Sequence, residues 1–532
     1  QPGDYTSFDP EMWPDGFEPA RRRMEDLGMT PGLWLDTTGA AVAGWRPWSS
    51  REAEHGWAPW AESLDVHSNW SYCLFDGPYG DGLRRAMLHA VEQWGVGLFK
   101  FDFADFRAVS ERCRHLDEGE VYRRNVQAFK EILRDVRRAR RDVVYLAYNG
   151  FAHLPDYLGD TTSPAVPGVD PGWLDVVDYL YSGDPRPADQ PCASLRRAVD
   201  LYQDHMVHKF HGSGIPLERI DDHGCMVGNT NTIYGLGKRG WRRTWLQSIG
   251  RGSRKAHFYG DVRLLEEDDV HFLRRARELF FGLFRQGAAT RQVAPPDDPA
   301  RGVPGWAPWH GFLTGDRARG LLVLVNPAPV PHEAQVPIAG LEAARVLFHD
   351  DGHRPACEVR AGRLAVHLAP EQMALVGLGE LAGERHALGT NVGGDPVPAG
   401  ARRIELPFSE NGGAVSCRFA GSLLGAEEEG FDLLRLSFVL RQRGRAARRS
   451  IPRDQAPAEA LPIGVEADGR SAEALRLVPD VPVWSGCSWV TGLYRLDQLR
   501  GAEQVRIGFR CPDGEVSAHA DAWLVASDGA RA

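Results

Sequence analysis

From Trp13 to about Gly287, short apolar runs alternate with helical patterns, the rhythm of βα units laid around a parallel sheet. The expected strands are Gly32 to Leu35, Gly97 to Phe103, Val143 to Tyr148, Val176 to Tyr181, Ile215 to Ile220 and Ala256 to Tyr259. Helical patterns over Gly16 to Leu27, Gly82 to Trp94, Glu118 to Arg138, Ser194 to Phe210, Lys238 to Ile249 and Glu266 to Leu283 fall between and after them. This predicts an α/β fold of the (β/α)8 TIM-barrel type. Such a barrel needs eight βα units and six are visible, while the stretch before Trp13 is too short for two more. Either the first barrel strands lie outside this chain or the sheet is not closed.

After Val293 the texture changes. Pro295, Pro296, Asp297, Asp298 and Pro299 read as a linker, and short alternating runs then replace the helical period. Phe312 to Thr314, Gly320 to Asn326, Glu333 to Pro337, Ala344 to His349, Leu364 to Leu368 and Met373 to Gly377 predict a β-sandwich. A second one begins near Gly389, with strands expected over Arg403 to Phe408, Ala414 to Phe419, Leu433 to Leu440, Ala474 to Leu477 and Gln504 to Phe509. Turn signals stand at Asn411-Gly412 and Ser485-Gly486, and Ala446 to Pro462 is expected to be a mobile loop. The expected division is 1–292, a catalytic barrel; 293–388, a β-sandwich; and 389–532, an additional β-sandwich in which Trp484, Trp489 and Trp523 form either a sugar-binding face or a core. A length of 532 residues agrees with about three domains.

A net charge of −10 argues against nucleic acid as the main partner, and the basic run Arg441 to Arg449 reads as a solvated loop. No apolar stretch is long enough to span a bilayer. The eight cysteines are dispersed without zinc-like spacing and read as small buried hydrophobes, with Cys487 and Cys511 a candidate pair for a secreted protein. The chain opens on Gln1 without an apolar leader, so cytoplasmic and secreted locations both stay open.

The chemistry is concentrated at expected strand ends. Strand side chains alternate, so Leu98, Lys100 and Asp102 share one face while Phe99, Phe101 and Phe103 share the other. Two charges therefore stand together in an apolar strand of a chain that uses Arg almost everywhere else, its lysines being Lys100, Lys130, Lys209, Lys238 and Lys255. A structural ion pair is the competing reading. Asp36, Asp102, Tyr148 with Asn149, Asp184, Asp221 with Asp222, and Asp261 all end or follow strands, where a βα barrel carries its active site. Recurring carboxylates without a His or Cys cage suit glycoside cleavage, in which one carboxylate attacks or activates water and another protonates the leaving oxygen. For Asp184 alone, loop chemistry in Gly-Asp-Pro is the alternative.

Trp45, Trp48, Trp57, Trp60, Trp70 and Tyr72 crowd the segment after Asp36, as a lid stacking on sugar faces would or as a local aromatic core. His205, His208 and His211 drift around a helix at steps of three, which fits a partly exposed face better than a metal site.

Trp13-Pro14-Asp15-Gly16-Phe17 followed by Leu27-Gly28-Met29-Thr30-Pro31-Gly32-Leu33-Trp34 resembles the entry segment of the α-galactosidase-like (melibiase) glycoside hydrolases. Lys100-Phe101-Asp102 resembles that clan's Lys-x-Asp nucleophile strand and Ser182-Gly183-Asp184 its acid/base strand. Asp221-Asp222 and Tyr259-Gly260-Asp261 occupy places like its last barrel strands, and Leu368-Ala369-Pro370-Glu371 resembles a closing strand of its C-terminal sandwich. The likeness runs over about 10–380. It implies a retaining α-glycoside hydrolase without cofactor or metal, acting on an oligosaccharide or glycoside, with Asp102 as nucleophile and Asp184 as general acid and base. Lys100, Asp36, Trp34, Tyr148, Asn149, Arg186 and Asp222 would contact substrate. The family's Asp-Asp-Gly-Trp strand has no counterpart and is expected before Gln1, and Pro-Arg-Pro after Asp184 marks a divergent branch. A related α-glucosidase, α-N-acetylgalactosaminidase or transglycosidase, and a non-catalytic carbohydrate-binding protein, are the alternatives.

Overall fold

A computed structural model describes residues 6, 8, 10–38, 73–76, 78–102, 106, 116–148, 169–183, 185–222, 225–228, 235–255, 257–295, 303–391, 393–395, 397–411, 413–425, 430–451, 455–511 and 516–527. Strands β1 (Gly32–Asp36), β2 (Leu98–Asp102), β3 (Val144–Tyr148), β4 (Tyr179–Tyr181) and β5 (Ile220–Asp221) pair in parallel and in sequence order. Strands β6 (Cys225–Val227) and β7 (Phe258–Gly260) form a separate parallel pair. Each strand added beside its predecessor gives the winding of a barrel wall, but among the described residues the wall does not close.

Side-chain parity divides the five-stranded sheet as the sequence predicts. One face carries Leu35, Phe99, Phe101, Tyr145, Ala147, Leu180 and Ile220, all buried. Phe101 meets Phe129 edge-on at 5.1 Å, on the helix Glu118–Ala139. That helix starts at Asp117, whose side chain accepts from the Glu120 N–H, and buries Val121, Phe129, Ile132, Leu133 and Val136 at helical spacing. The other face carries the charged side chains Asp36, Lys100, Asp102 and Asp221, among Trp34, Leu146, Tyr179 and Tyr181.

The expected strand Ile215 to Ile220 is largely not one. Pro216 opens a 3-10 turn over Leu217–Arg219, and Arg219 donates to the carbonyls of Val177 and Asp178, which leaves only Ile220–Asp221 to join the ladder. The sequence also missed β6, too short at three residues to show a period.

Two largely antiparallel β regions follow. The first has a six-stranded sheet, drawing strands from Thr290–Val293 to Gly389–Thr390, and a three-stranded sheet; Leu322, Leu324, Val336, Leu364, Val366 and Val376 fill the core they share. The second has a six-stranded sheet centred on Leu433–Gln442, Trp489–Arg495 and Ser517–Ala526, and a five-stranded sheet containing Ala414–Phe419 and Val505–Arg510. Trp489 is fully buried here and Trp523 nearly so, which makes both core residues; the Trp484 side chain lies outside the described residues.

Ala446 to Pro462 is not simply a loop. Arg449–Ile451 pairs with Val483–Cys487, and Ala447, Ile451 and Leu461 are buried. Cys487 and Cys511 are both free thiols. Cys487 donates to the Trp489 carbonyl at 3.2 Å, and burial pushes its thiol up to about 12. Among the described residues no helix is long and apolar enough to cross a membrane.

The helix Leu195–Gly212 lies at the junction of these regions and is buried on nearly every side, although it carries Arg196, Arg197, Asp200, Asp204 and Lys209. Buried charge is tolerated only when paired. Asp200 pairs with Arg243 at 3.0 Å, and Asp204 pairs with Arg251 at 2.7 Å and His310 at 2.8 Å. Arg243 reaches on to Asp350, which ties the helix Trp241–Gly250 to the first β region. Of the histidines expected on a partly exposed face, His205 is buried against the Pro304 carbonyl at 3.4 Å, whereas His208 is half-buried and meets Gln292 at 3.1 Å and His211 is exposed, its Nδ1 2.9 Å from the Ile215 carbonyl.

Candidate active site

The polar face of the five-stranded sheet builds the site. Strand register places Asp36 beside Asp102, and Tyr148, Tyr181 and Asp221 beside one another, so these residues form a row across the C-terminal ends of the strands. One step back along the strands stand Trp34, Lys100, Leu146 and Tyr179. Parallel strands in register put the same parity on the same face, which is why residues widely separated in sequence converge here.

Asp102 is half-buried, and its Oδ2 accepts a hydrogen bond from the Trp34 indole at 3.1 Å. Trp34 itself is 49% exposed, so one side of this pair is open. Lys100 reaches across β3 to lie over the Tyr181 ring, its Nζ 4.8 Å from the centroid, a cation–π contact that fixes the ammonium on the polar face.

The other carboxylates of the row are enclosed. Asp36 is 1% exposed, and its Oδ1 accepts from the Thr38 N–H at 3.3 Å. Asp221 is also buried, and Lys255 Nζ donates to its Oδ2 at 2.7 Å with His257 Nδ1 at 3.4 Å. Burial alone would raise the Asp221 carboxyl, but the Lys255 ammonium and the neighbouring His257 prevail and hold it far below the usual carboxylate range. Asp221 is therefore a fixed anion and no source of protons. Asp222 is engaged elsewhere: Arg251 pairs with one of its oxygens and Ser248 donates to the other at 2.9 Å. Asp261 lies beyond β7 and is held by Arg263 at 2.8 Å.

Arg186 is buried close behind β4. Asp184, Asn149, the Tyr148 side chain and the tryptophan-rich segment from Trp45 to Tyr72 lie outside the described residues. Sequence reasoning missed the Lys255–Asp221–His257 group. The scarcity of lysine that singled out Lys100 applies equally to Lys255, and Lys255 with His257 precedes an expected strand end at the same two-residue spacing. Among the described residues no cluster of His, Cys, Asp and Glu fits a metal ion.

No family model matches this chain, and no curated protein does. Several solved structures do. A GH36 α-galactosidase from Geobacillus stearothermophilus in complex with raffinose is 10% identical, covering 70% of this chain and 48% of that one at a TM-score of 0.48. The α-galactosidase from Lactobacillus brevis is 10% identical, covering 71% of this chain and 48% of that one at a TM-score of 0.47. A GH27 β-L-arabinopyranosidase from Geobacillus stearothermophilus in complex with arabinose is 15% identical, covering 68% and 78% at a TM-score of 0.42. The chain spans about half the length of the α-galactosidases it matches.

Proposed function

We propose that the chain is a retaining glycoside hydrolase of the α-galactosidase-like kind, cleaving terminal α-linked sugars by double displacement. The observation that carries this reading is the contrast within the row: Asp36 and Asp221 are sealed, whereas Asp102 is partly open and held by a tryptophan that is itself open on one side. A nucleophile needs access and a fixed orientation, and Asp102 has both.

In the proposed reaction Asp102 attacks the anomeric carbon while Asp184 protonates the departing oxygen, giving a covalent glycosyl-enzyme. Asp184 then takes a proton from water as the water attacks the anomeric carbon and breaks its bond to Asp102, so the carboxylate is released and the configuration is retained. A retaining pair stands about 5 to 5.5 Å apart. Trp34 orients the attacking carboxylate, and Lys100 offers an ammonium to sugar hydroxyls on the same face.

Paired variants test the reading. Asp102→Asn is expected to abolish turnover of every α-glycoside in an aryl panel with the fold intact. Asp184→Asn is expected to keep activity only on substrates with good leaving groups. Near wild-type rates for Asp102→Asn would overturn the assignment, and saccharide binding without any turnover by the wild type would favour a binding protein instead.

A further inference from the structure

The three-stranded sheet of the first β region has a cleft at one end. Its strands His332–Pro337, Arg363–Leu368 and Ala356–Arg360 lie side by side and antiparallel, so the starts of the outer two meet the end of the middle one. There a space of about 450 Å³ opens, lined by His332, Glu333, His353, Arg354, His367 and Gln372 among others. That volume falls within the range of small-molecule sites, about 300 to 1,000 Å³.

The walls are firmly held. Gln372 is fully buried, accepts from the Ala369 N–H at 2.9 Å and donates to the His353 carbonyl at 2.7 Å. Pro331 and Pro355 also line the cleft and restrict φ on either side of it. Ala399, on the way into the second β region, adds another wall, and its N–H donates to the Ala526 carbonyl at 2.8 Å.

The lining is polar, and its hydrogen-bonding capacity is only partly used. Glu333 and His367 are cross-strand neighbours with Oε2 and Nε2 2.6 Å apart, so the one carboxylate among the described lining residues already has its partner. Arg354 is exposed and spends an Nη2 N–H on the Val346 carbonyl at 3.0 Å; its other N–H groups meet no acceptor and no carboxylate among the described residues. His332 is half-buried, and its ring makes no hydrogen bond among the described residues. Burial pushes that imidazole below its ordinary value, so at neutral pH it is uncharged and offers one donor and one acceptor. Among the described lining residues there is no Phe, Tyr or Trp, and hence no platform on which a neutral sugar would stack.

We propose that this cleft binds a small organic monocarboxylate of sugar-acid size, held by Arg354 and His332. A planar guanidinium takes a carboxylate on two parallel hydrogen bonds, and one negative charge matches the one unpaired cation. Glu333 repels a second charge, which disfavours a phosphate dianion. None of these residues takes part in the proposed glycoside cleavage, so the two readings stand or fall separately.

Calorimetric titration at neutral pH with D-glucuronate, beside D-glucose and inorganic phosphate, tests the site on the wild type, Arg354→Met and His332→Phe. The wild type is expected to bind glucuronate with a Kd on the order of 1 mM and the other two compounds about tenfold or more weakly. Arg354→Met should weaken glucuronate binding by about tenfold or more with the melting temperature unchanged, since the side chain is exposed. His332→Phe should weaken it by a smaller factor; should that variant fail to fold, Arg354→Met alone decides. Glucuronate binding that survives Arg354→Met belongs to another site and overturns the proposal. Glucose or phosphate bound as tightly as glucuronate overturns it too, as does the absence of saturable binding well above that concentration.

Discussion

The Trp34 indole and the Asp102 carboxylate, 68 residues apart in sequence, are joined across β1 and β2 by a hydrogen bond of 3.1 Å at the open end of the sheet. Trp34→Phe keeps the aromatic ring but removes the donor. A hydrogen bond to a charged group contributes about 1.5 to 3 kcal/mol, so kcat/KM is expected to fall by roughly 10- to 150-fold. The melting temperature should move little, because the indole is half-exposed. Steady-state kinetics beside a thermal melt checks both halves.

Asp221 gives a pH-dependent outcome. Its folded-state carboxyl lies below the ordinary value of 3.8, so the stability it contributes with Lys255 and His257 is fully present above about that pH and is lost as pH falls below it. Lys255→Met leaves a buried carboxylate without its main cation. The expected loss is about 3 to 5 kcal/mol at neutral pH, shrinking as acid protonates the carboxyl. Urea unfolding of both proteins between neutral and acid pH measures the gap and its direction.

Asp222 separates a structural role from a binding role. Its oxygens face Arg251 and Ser248 inside the protein. Asp222→Asn is expected to lower the melting temperature by several degrees, in line with a loss of about 1 to 3 kcal/mol, while KM stays unchanged. A raised KM with unchanged stability would return Asp222 to the substrate contacts.

The thiols give a simple control. Cys487 and Cys511 are both free, so a reducing agent should leave the melting temperature unchanged. A fall on reduction would reveal a cross-link between them.

Much of the site was legible because its logic is local. Parity alone assigned Lys100 and Asp102 to one face and Phe99 and Phe101 to the other, and the polar and apolar sides of the sheet follow that division. The βα rhythm placed five strands in parallel order, and that order lines up Asp36 with Asp102 and Tyr181 with Asp221. Non-local effects were hidden. Within Ser517–Ala526, residues 517–522 alternate alanine with polar residues and have little intrinsic strand preference, yet they are strand because residues 436–441 of Leu433–Gln442 pair with them. The burial of the helix Leu195–Gly212 was not legible, since nothing in its sequence shows that Arg243, Arg251, His310 and Glu371 come from distant segments to neutralise its charges.

The central claim is that Asp102 forms a bond to the sugar. Incubation with an activated fluoroglycoside, followed by proteolysis and mass spectrometry, reads that bond directly. A glycosyl adduct on the peptide containing Lys100-Phe101-Asp102, absent from Asp102→Asn, is the expected result; an adduct on another carboxylate, or none from an enzyme that turns over α-glycosides, would contradict it.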